Sequence, residues 1–247
     1  VFRQVLPVLM ASGASVIGFL VVGRCVPARW RVADTDAAST LYSTIATIYA
    51  IIVALAAVAV WEPRSAAFQN TEREASALIE VHWAARTLEP PDRAEVQGLI
   101  IEYAREAATS EFDGLRHRRV PSRKVEEAFN RMRAKAESAA DPDSNLTKRL
   151  NELADARRAR ITVADDGMPL PMWPILIGGG VIIIAFLYLF GLARTFPNGL
   201  MLFVVGGMIG LVLTVLYHLE FPYSRGLAVT SDALQDALFR LANPVQI

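Results

Sequence analysis

The sequence predicts an all-α membrane protein: four transmembrane helices, an extramembrane helical bundle inserted between the second and third, and a short C-terminal amphipathic helix. Three observations carry this reading. Apolar residues make up 53% of the chain, yet 25 basic and 25 acidic side chains are also present, and the two kinds fall in separate blocks. Four stretches of at least 20 residues contain no Asp, Glu, Lys or Arg. No run alternates with the period of two that a half-buried strand requires.

The four stretches are Gln4 to Gly23, Ala37 to Trp61, Gly167 to Ala193 and Thr195 to Leu219. A helix rises 1.5 Å per residue, so ~20 residues cross a hydrocarbon core of ~30 Å. Only a helix satisfies its own backbone polar groups in lipid, so each stretch reads as a spanning helix. The first is read as retained, because Arg24 stands before Cys25 where a lipoprotein cleavage box needs a small residue. Pro197-Asn198-Gly199 is turn chemistry and makes the last two spans a hairpin. Gly206 and Gly210, the pair Ala14 and Gly18, and the run Gly178-Gly179-Gly180 are expected to let helices approach closely. The organisation is therefore membrane helices over 1–61, a helical domain over 62–166, a membrane hairpin over 167–219 and a tail over 220–247.

Amphipathic helices fill the inserted domain. Phe68, Ala75, Ile79 and Trp83 keep a helical period up to a break at Pro90-Pro91, extending the second span beyond the bilayer. Asp92 as N-cap with Glu95 three residues on forms a capping box, followed by the stripe Val96, Ile100, Tyr103 and Ala107. Val125, Phe129, Met132 and Ala136 make a third stripe, and Leu146, Leu150, Leu153 and Ile161 a fourth. Asp113-Gly114 and Asp141-Pro142-Asp143 read as loops. In the tail, Ser231 and Asp232 start a helix with the stripe Leu234, Leu238 and Leu241, to lie at the lipid interface or dock on the bundle.

The formal net charge of zero argues against a nucleic-acid partner, and the lone Cys25 excludes an internal disulfide. There is no HExxH, CxxC, phosphate-binding glycine loop or GxSxG elbow, so neither catalysis nor a metal or other cofactor is expected. His82, His117 and His218 are scattered, and His82 reads as an ordinary bundle residue. Arg157, Arg158 and Arg160 form a basic cluster before the third span, either a solvated helix face or a contact for lipid headgroups or an acidic partner.

The second span is more informative. At 100° per residue, Thr40, Thr44, Thr47, Ile51, Val58 and Glu62 fall within roughly 40° of one line, with Ser43 and Ala54 on its margin and Tyr42 and Tyr49 opposite. A hydroxyl-lined half, an apolar middle and an acidic mouth suit an ion pathway shared by several subunits, with Thr40, Ser43, Thr44, Thr47 and Glu62 lining it. Alternatively the hydroxyls bond to neighbouring helices or to their own backbone. Trp61, Trp173, His218 and Glu220 are expected at the membrane interface, where His218 is placed to pair with Glu220.

Trp61-Glu62, Glu74-Ala75, Tyr103, Arg157-Arg158 with Arg160, Pro171 with Trp173 and the block Glu220-Phe221-Pro222-Tyr223-Ser224-Arg225-Gly226 together resemble the bestrophin-like family of bacterial membrane proteins. Glu220 and Tyr223 stand where that block's pattern expects Asp and Phe. The resemblance covers almost the whole chain and implies a remote likeness to bestrophins, pentameric chloride channels with four spans and a helical extramembrane part. It transfers no channel residue, because the calcium-binding acidic cluster and the aromatic neck have no counterpart here. An acidic mouth at Glu62 would also repel chloride.

Arg24, Arg29 and Arg31 in the first connection and Arg194 in the last oppose Glu62, Asp165, Asp166 and Glu220 at the other span ends. This places those arginines in the cytoplasm and the helical domain outside the plasma membrane. Arg3, Arg64, Arg225, Arg240 and the arginine cluster lie on the domain side, and bestrophins hold their domain in the cytoplasm. The expected function is a homo-oligomeric, channel-like protein in the lipid bilayer. The rival is a non-conducting scaffold or accessory subunit whose helical domain binds a partner protein.

Overall fold

The computed structural model describes residues 2–25, 27 and 34–243. Arg29 and Arg31, used above to orient the chain, lie outside the described residues, as does the side chain of Arg3. Among the described residues there are helices and no strand. In chain order they are α1 (Phe2–Cys25), α2 (Thr35–Ala84), α3 (Pro90–Glu106), α4 (Phe112–Arg118), α5 (Arg123–Ala139), α6 (Asn145–Thr162), α7 (Met172–Leu189), α8 (Phe196–Leu219) and α9 (Asp232–Ala242). A π-helical turn, Ala107–Glu111, joins α3 to α4. Four helices are long and apolar enough to cross a membrane: α1, α2, α7 and α8. The chain forms two compact units, Val1–Val60 with Met168–His218, and Trp61–Gly167 with Leu219–Ile247.

The membrane unit packs through small residues. A Cβ on Gly206 would stand 2.6 Å from Ser15 Cβ and one on Gly210 2.6 Å from Ala11 Cβ, so the GxxxG pair of α8 seats α1. The Ser15 hydroxyl donates to the Leu202 carbonyl at 3.0 Å, and Tyr188 donates to the Ser15 carbonyl at 2.6 Å. Gly179 and Gly180 make room for the ring of Tyr49, whose hydroxyl donates to the Leu176 carbonyl at 3.0 Å. Gly191, in the left-handed region at φ 68°, ends the third span.

The helical unit has a conventional apolar core. Leu78, Val96, Ile100, Tyr103, Val125, Met132, Leu146, Leu150 and Leu153 are all at most 1% exposed, and Leu234, Ala237 and Leu241 of α9 join them. The tail helix therefore docks on the bundle. Three local expectations are corrected. Phe68 and Trp83 are exposed, because the buried face of α2 is instead Ala67, Thr71, Glu74, Leu78 and Val81. Pro90 and Pro91 open α3 after N-cap Glu89, since a first turn needs no N–H from them; Asp92 sits inside that turn, and with Glu95 it pairs with Lys135 of α5 at 3.0 and 2.7 Å. Asp113-Gly114 lies within α4 rather than in a loop. Gly114 is needed for close approach, as a Cβ there would meet the Val120 carbonyl oxygen at 2.9 Å.

Candidate functional site

Two arrangements concentrate polar chemistry: an uncovered face of α2 and a buried charge network in the helical unit. Thr40, Ser43, Thr44, Thr47, Ile51, Ala54 and Val58 are all exposed, while Ala56 and Val60 on the opposite face are buried. Tyr42, also opposite, meets Phe190 edge-on at 5.9 Å. The chain thus packs on the tyrosine face of α2 and leaves the hydroxyl face open. Each hydroxyl donates backwards along its own helix: Thr40 to the Asp36 carbonyl, Ser43 to Ser39, Thr44 to Thr40 and Thr47 to Ser43, at 3.1, 2.8, 3.0 and 2.8 Å. Glu62 and Trp61 are exposed farther along the same uninterrupted helix.

The remaining interface residues are held by neighbours. Trp173 meets Tyr217 at 6.2 Å, and His218 Nδ1 lies 2.7 Å from the Thr214 carbonyl oxygen. Glu220 is held by Arg225 at 2.5 Å.

The arginine cluster is where the structure departs most from the sequence reading. Arg158 is exposed, but Arg160 is fully buried and Arg157 is 9% exposed. Arg160 forms a two-point pair with Glu74 through Nε and Nη2, the latter at 3.2 Å. Tyr103 donates to the same carboxylate at 2.5 Å. Glu111, fully buried, faces Arg157 at 3.7 Å and Arg160 at 3.8 Å through Oε1, and its Oε2 accepts from the Ser122 backbone N–H at 3.4 Å. Aromatic rings close the cluster: Phe129 lies 5.3 Å from the Arg157 guanidinium, Phe112 5.5 Å from that of Arg160, and Tyr223 meets Phe112 edge-on at 5.5 Å. The Tyr223 hydroxyl donates to the Ala67 carbonyl at 3.1 Å.

Burial sets the protonation of these groups. It drives the Tyr103 pKa well above that of a free phenol, with the Glu74 charge adding to the effect. It pushes Tyr223 up to about 12, against the bond to Thr71. Burial also raises Glu111, although Arg160 and Arg157 pull the other way. For Arg160 burial opposes the charge, yet Glu74, Tyr103 and Glu111 together hold it above its ordinary value. The cluster is therefore a locked ionic clasp, tying α2, α3, the π turn and α6 to the C-terminal block. Among the described residues no group of three or more His, Cys, Asp or Glu is placed to hold a metal ion.

Glu74 and the block around Tyr223 enter the sequence reading only through a resemblance, whereas Tyr103 also falls on the α3 stripe and Arg157 and Arg160 in the basic cluster; the fold shows why they travel together. Glu111 is not among the residues singled out from the sequence. A signal existed, since Arg157 and Arg160 continue the stripe Leu146, Leu150, Leu153 at helical spacing, and Glu111 follows Tyr103 and Ala107. Charges in register with a buried stripe point inward.

Four lipid-length helices and a helical domain closed by an internal ion clasp define a multi-pass membrane protein. The chain belongs to the bestrophin-like family: the family's model, the Bestrophin-like domain, matches residues 9–234 and so includes the clasp and all of α2. No curated protein and no solved structure matches the chain.

Proposed function

We propose that the chain is the subunit of a homo-oligomeric ion channel whose path is lined by the hydroxyl face of α2. The observation that carries this reading is the split character of that helix. Its tyrosine face is used up inside the protomer, and its threonine face, apolar middle and Glu62 are left for a neighbour or for water. Because each hydroxyl spends its one hydrogen on the backbone, it offers only oxygen lone pairs outward. That chemistry, with a carboxylate at the mouth, favours cations over anions.

The back-bonding also favours a second reading, a non-conducting scaffold or accessory subunit whose helical domain binds a partner protein, because self-satisfied hydroxyls need no water. Neither reading assigns catalysis. Thiol chemistry separates them. In a Cys25→Ser background, Thr47→Cys should react with a small polar thiol reagent, while Tyr49→Cys should not; protection of Thr47→Cys would favour the scaffold. Our reading places the helical domain outside the plasma membrane, so native Cys25, exposed in the protomer, should resist an impermeant reagent applied to intact cells.

A further inference from the structure

The helical unit carries an unabsorbed charge feature at the α4–α5 turn. Residues 114–124 contain five Arg or Lys, one His and no Asp or Glu. Arg116, Arg118, Arg119, Arg123 and Lys124 are all exposed, in contrast to Arg157 and Arg160. Arg123 pairs with Glu127 at 2.9 Å, whereas Arg116, Arg118 and Lys124 make no ion pair among the described residues. A groove of about 680 Å³ runs beside the turn, lined by Ser110, His117, Arg118, Arg123 and Lys124, with Asp113 its one carboxylate. Val120, a large apolar residue 54% exposed, stands at the tip.

The turn also touches the segment that follows α8, which itself packs on the segment that precedes α7. The Arg119 guanidinium stacks 3.4 Å from the centre of the Phe221 ring, and Phe221 is two residues past the end of α8. A Cβ on Gly167, five residues before α7, would meet the same ring at 2.7 Å. Two residues of chain reach at most about 7 Å, so connectivity keeps the basic turn close to where the polypeptide leaves the bilayer. The other end of α5, about 25 Å away at 1.5 Å per residue, carries Glu137 and is followed by Asp141 and Asp143.

We infer that the turn Arg116–Lys124 is a docking surface for anionic lipid headgroups in the adjoining leaflet, with Val120 dipping into the interface. Charge complementarity selects the occupant: a dense, mostly unpaired basic surface held beside the membrane faces its most abundant anions there, the phospholipid phosphates. Asp165 and Asp166, exposed before α7, oppose part of this attraction, and Glu220 is neutralised by Arg225. The inference is independent of whether the protein conducts.

The test uses the full chain reconstituted in phosphatidylcholine vesicles, with Cys25→Ser and an environment-sensitive fluorophore on Val120→Cys. Adding phosphatidylglycerol to the vesicles should shift the emission to the blue, and high salt should reverse the shift. Each of Arg116→Gln, Arg118→Gln and Lys124→Gln should raise the anionic lipid needed for half the shift by about five-fold at low salt. Arg131→Gln, at mid-helix in α5, should leave it unchanged, and unfolding temperatures should be equal throughout. Identical emission in neutral and anionic vesicles would overturn the proposal. So would a shift indifferent to the three substitutions, or one produced by soluble polyglutamate over neutral vesicles, which would indicate an acidic protein partner instead.

Discussion

In the membrane unit, helices meet through Gly206, Gly210 and Gly179, whose bare backbone takes in the side chains of Ser15, Ala11 and Tyr49; in the helical unit they meet through Leu78, Ile100, Met132 and Leu150, side chain against side chain. Solvent accounts for the contrast. Lipid tails are as apolar as leucine, so burial drives nothing between spans, and close contact with a few hydrogen bonds must serve. In water, burial of apolar area is the main favourable term and pulls bulky side chains inward. One consequence is that only 17–22% of each spanning window is buried within the chain. Most of the surface of the membrane unit is left uncovered by the chain itself. The helical unit is closed on itself, to the point of enclosing two arginines and two glutamates.

The largest expected effect attacks that closure. Arg160→Met leaves Glu74 buried and short of its counter-charge, and breaking a buried pair in this way costs about 3–5 kcal/mol. The unfolding temperature in mild detergent should fall sharply, while Arg158→Met, on the exposed side of α6, should leave it unchanged. Equal effects would mean that the clasp is not closed in solution.

A smaller effect is expected from the glycine contacts. Gly206→Val drives a side chain into Ser15 and the Ala11 carbonyl, and overpacking of this kind costs about 1–3 kcal/mol. Gly13→Ala meets nothing within 4 Å and should be silent. If both were silent, the spans would not be held by small-residue packing.

The smallest effect is a change of pH dependence. Burial raises the Glu111 pKa above its unfolded value of 4.5, so its contribution to stability is fully present below that value and is lost as pH rises through the folded pKa. Glu111→Gln fixes the neutral form. The variant should therefore gain stability relative to the parent as pH rises from acid to neutral, read from unfolding temperatures across a pH series. A constant difference between the two would mean that Glu111 does not change ionisation on folding.

These contrasts also mark what could be read in the chain itself. The four spans and the stripes of α3 and α5 are plain in the sequence, because long charge-free runs and a 3.6 period answer directly to lipid and to a buried face. The α2 extension differs: periodicity points to Phe68 and Trp83 as core, but the buried face is built from Ala67, Thr71 and Glu74, whose small or polar character hides it. The clasp was hidden for a related reason. Arg157 and Arg160 read as solvated because charge is costly to bury, and only the fold brings Glu74 and Glu111 near enough to offset that cost. Glu111 is in helical register with Tyr103 and Ala107, but the π turn that sets it beside the two arginines has no signature of its own in the sequence.

Conduction through the α2 face is open to direct measurement. Purified protein in a planar bilayer should pass cations, and Glu62→Gln should reduce the cation preference most at low salt, where the Debye length is ~10 Å at 0.1 M against ~3 Å at 1 M. Tyr49→Phe, on the packed face, should leave selectivity as it is. Absence of current across voltage, pH and calcium, or a chloride current whose selectivity Glu62→Gln does not alter, would contradict it.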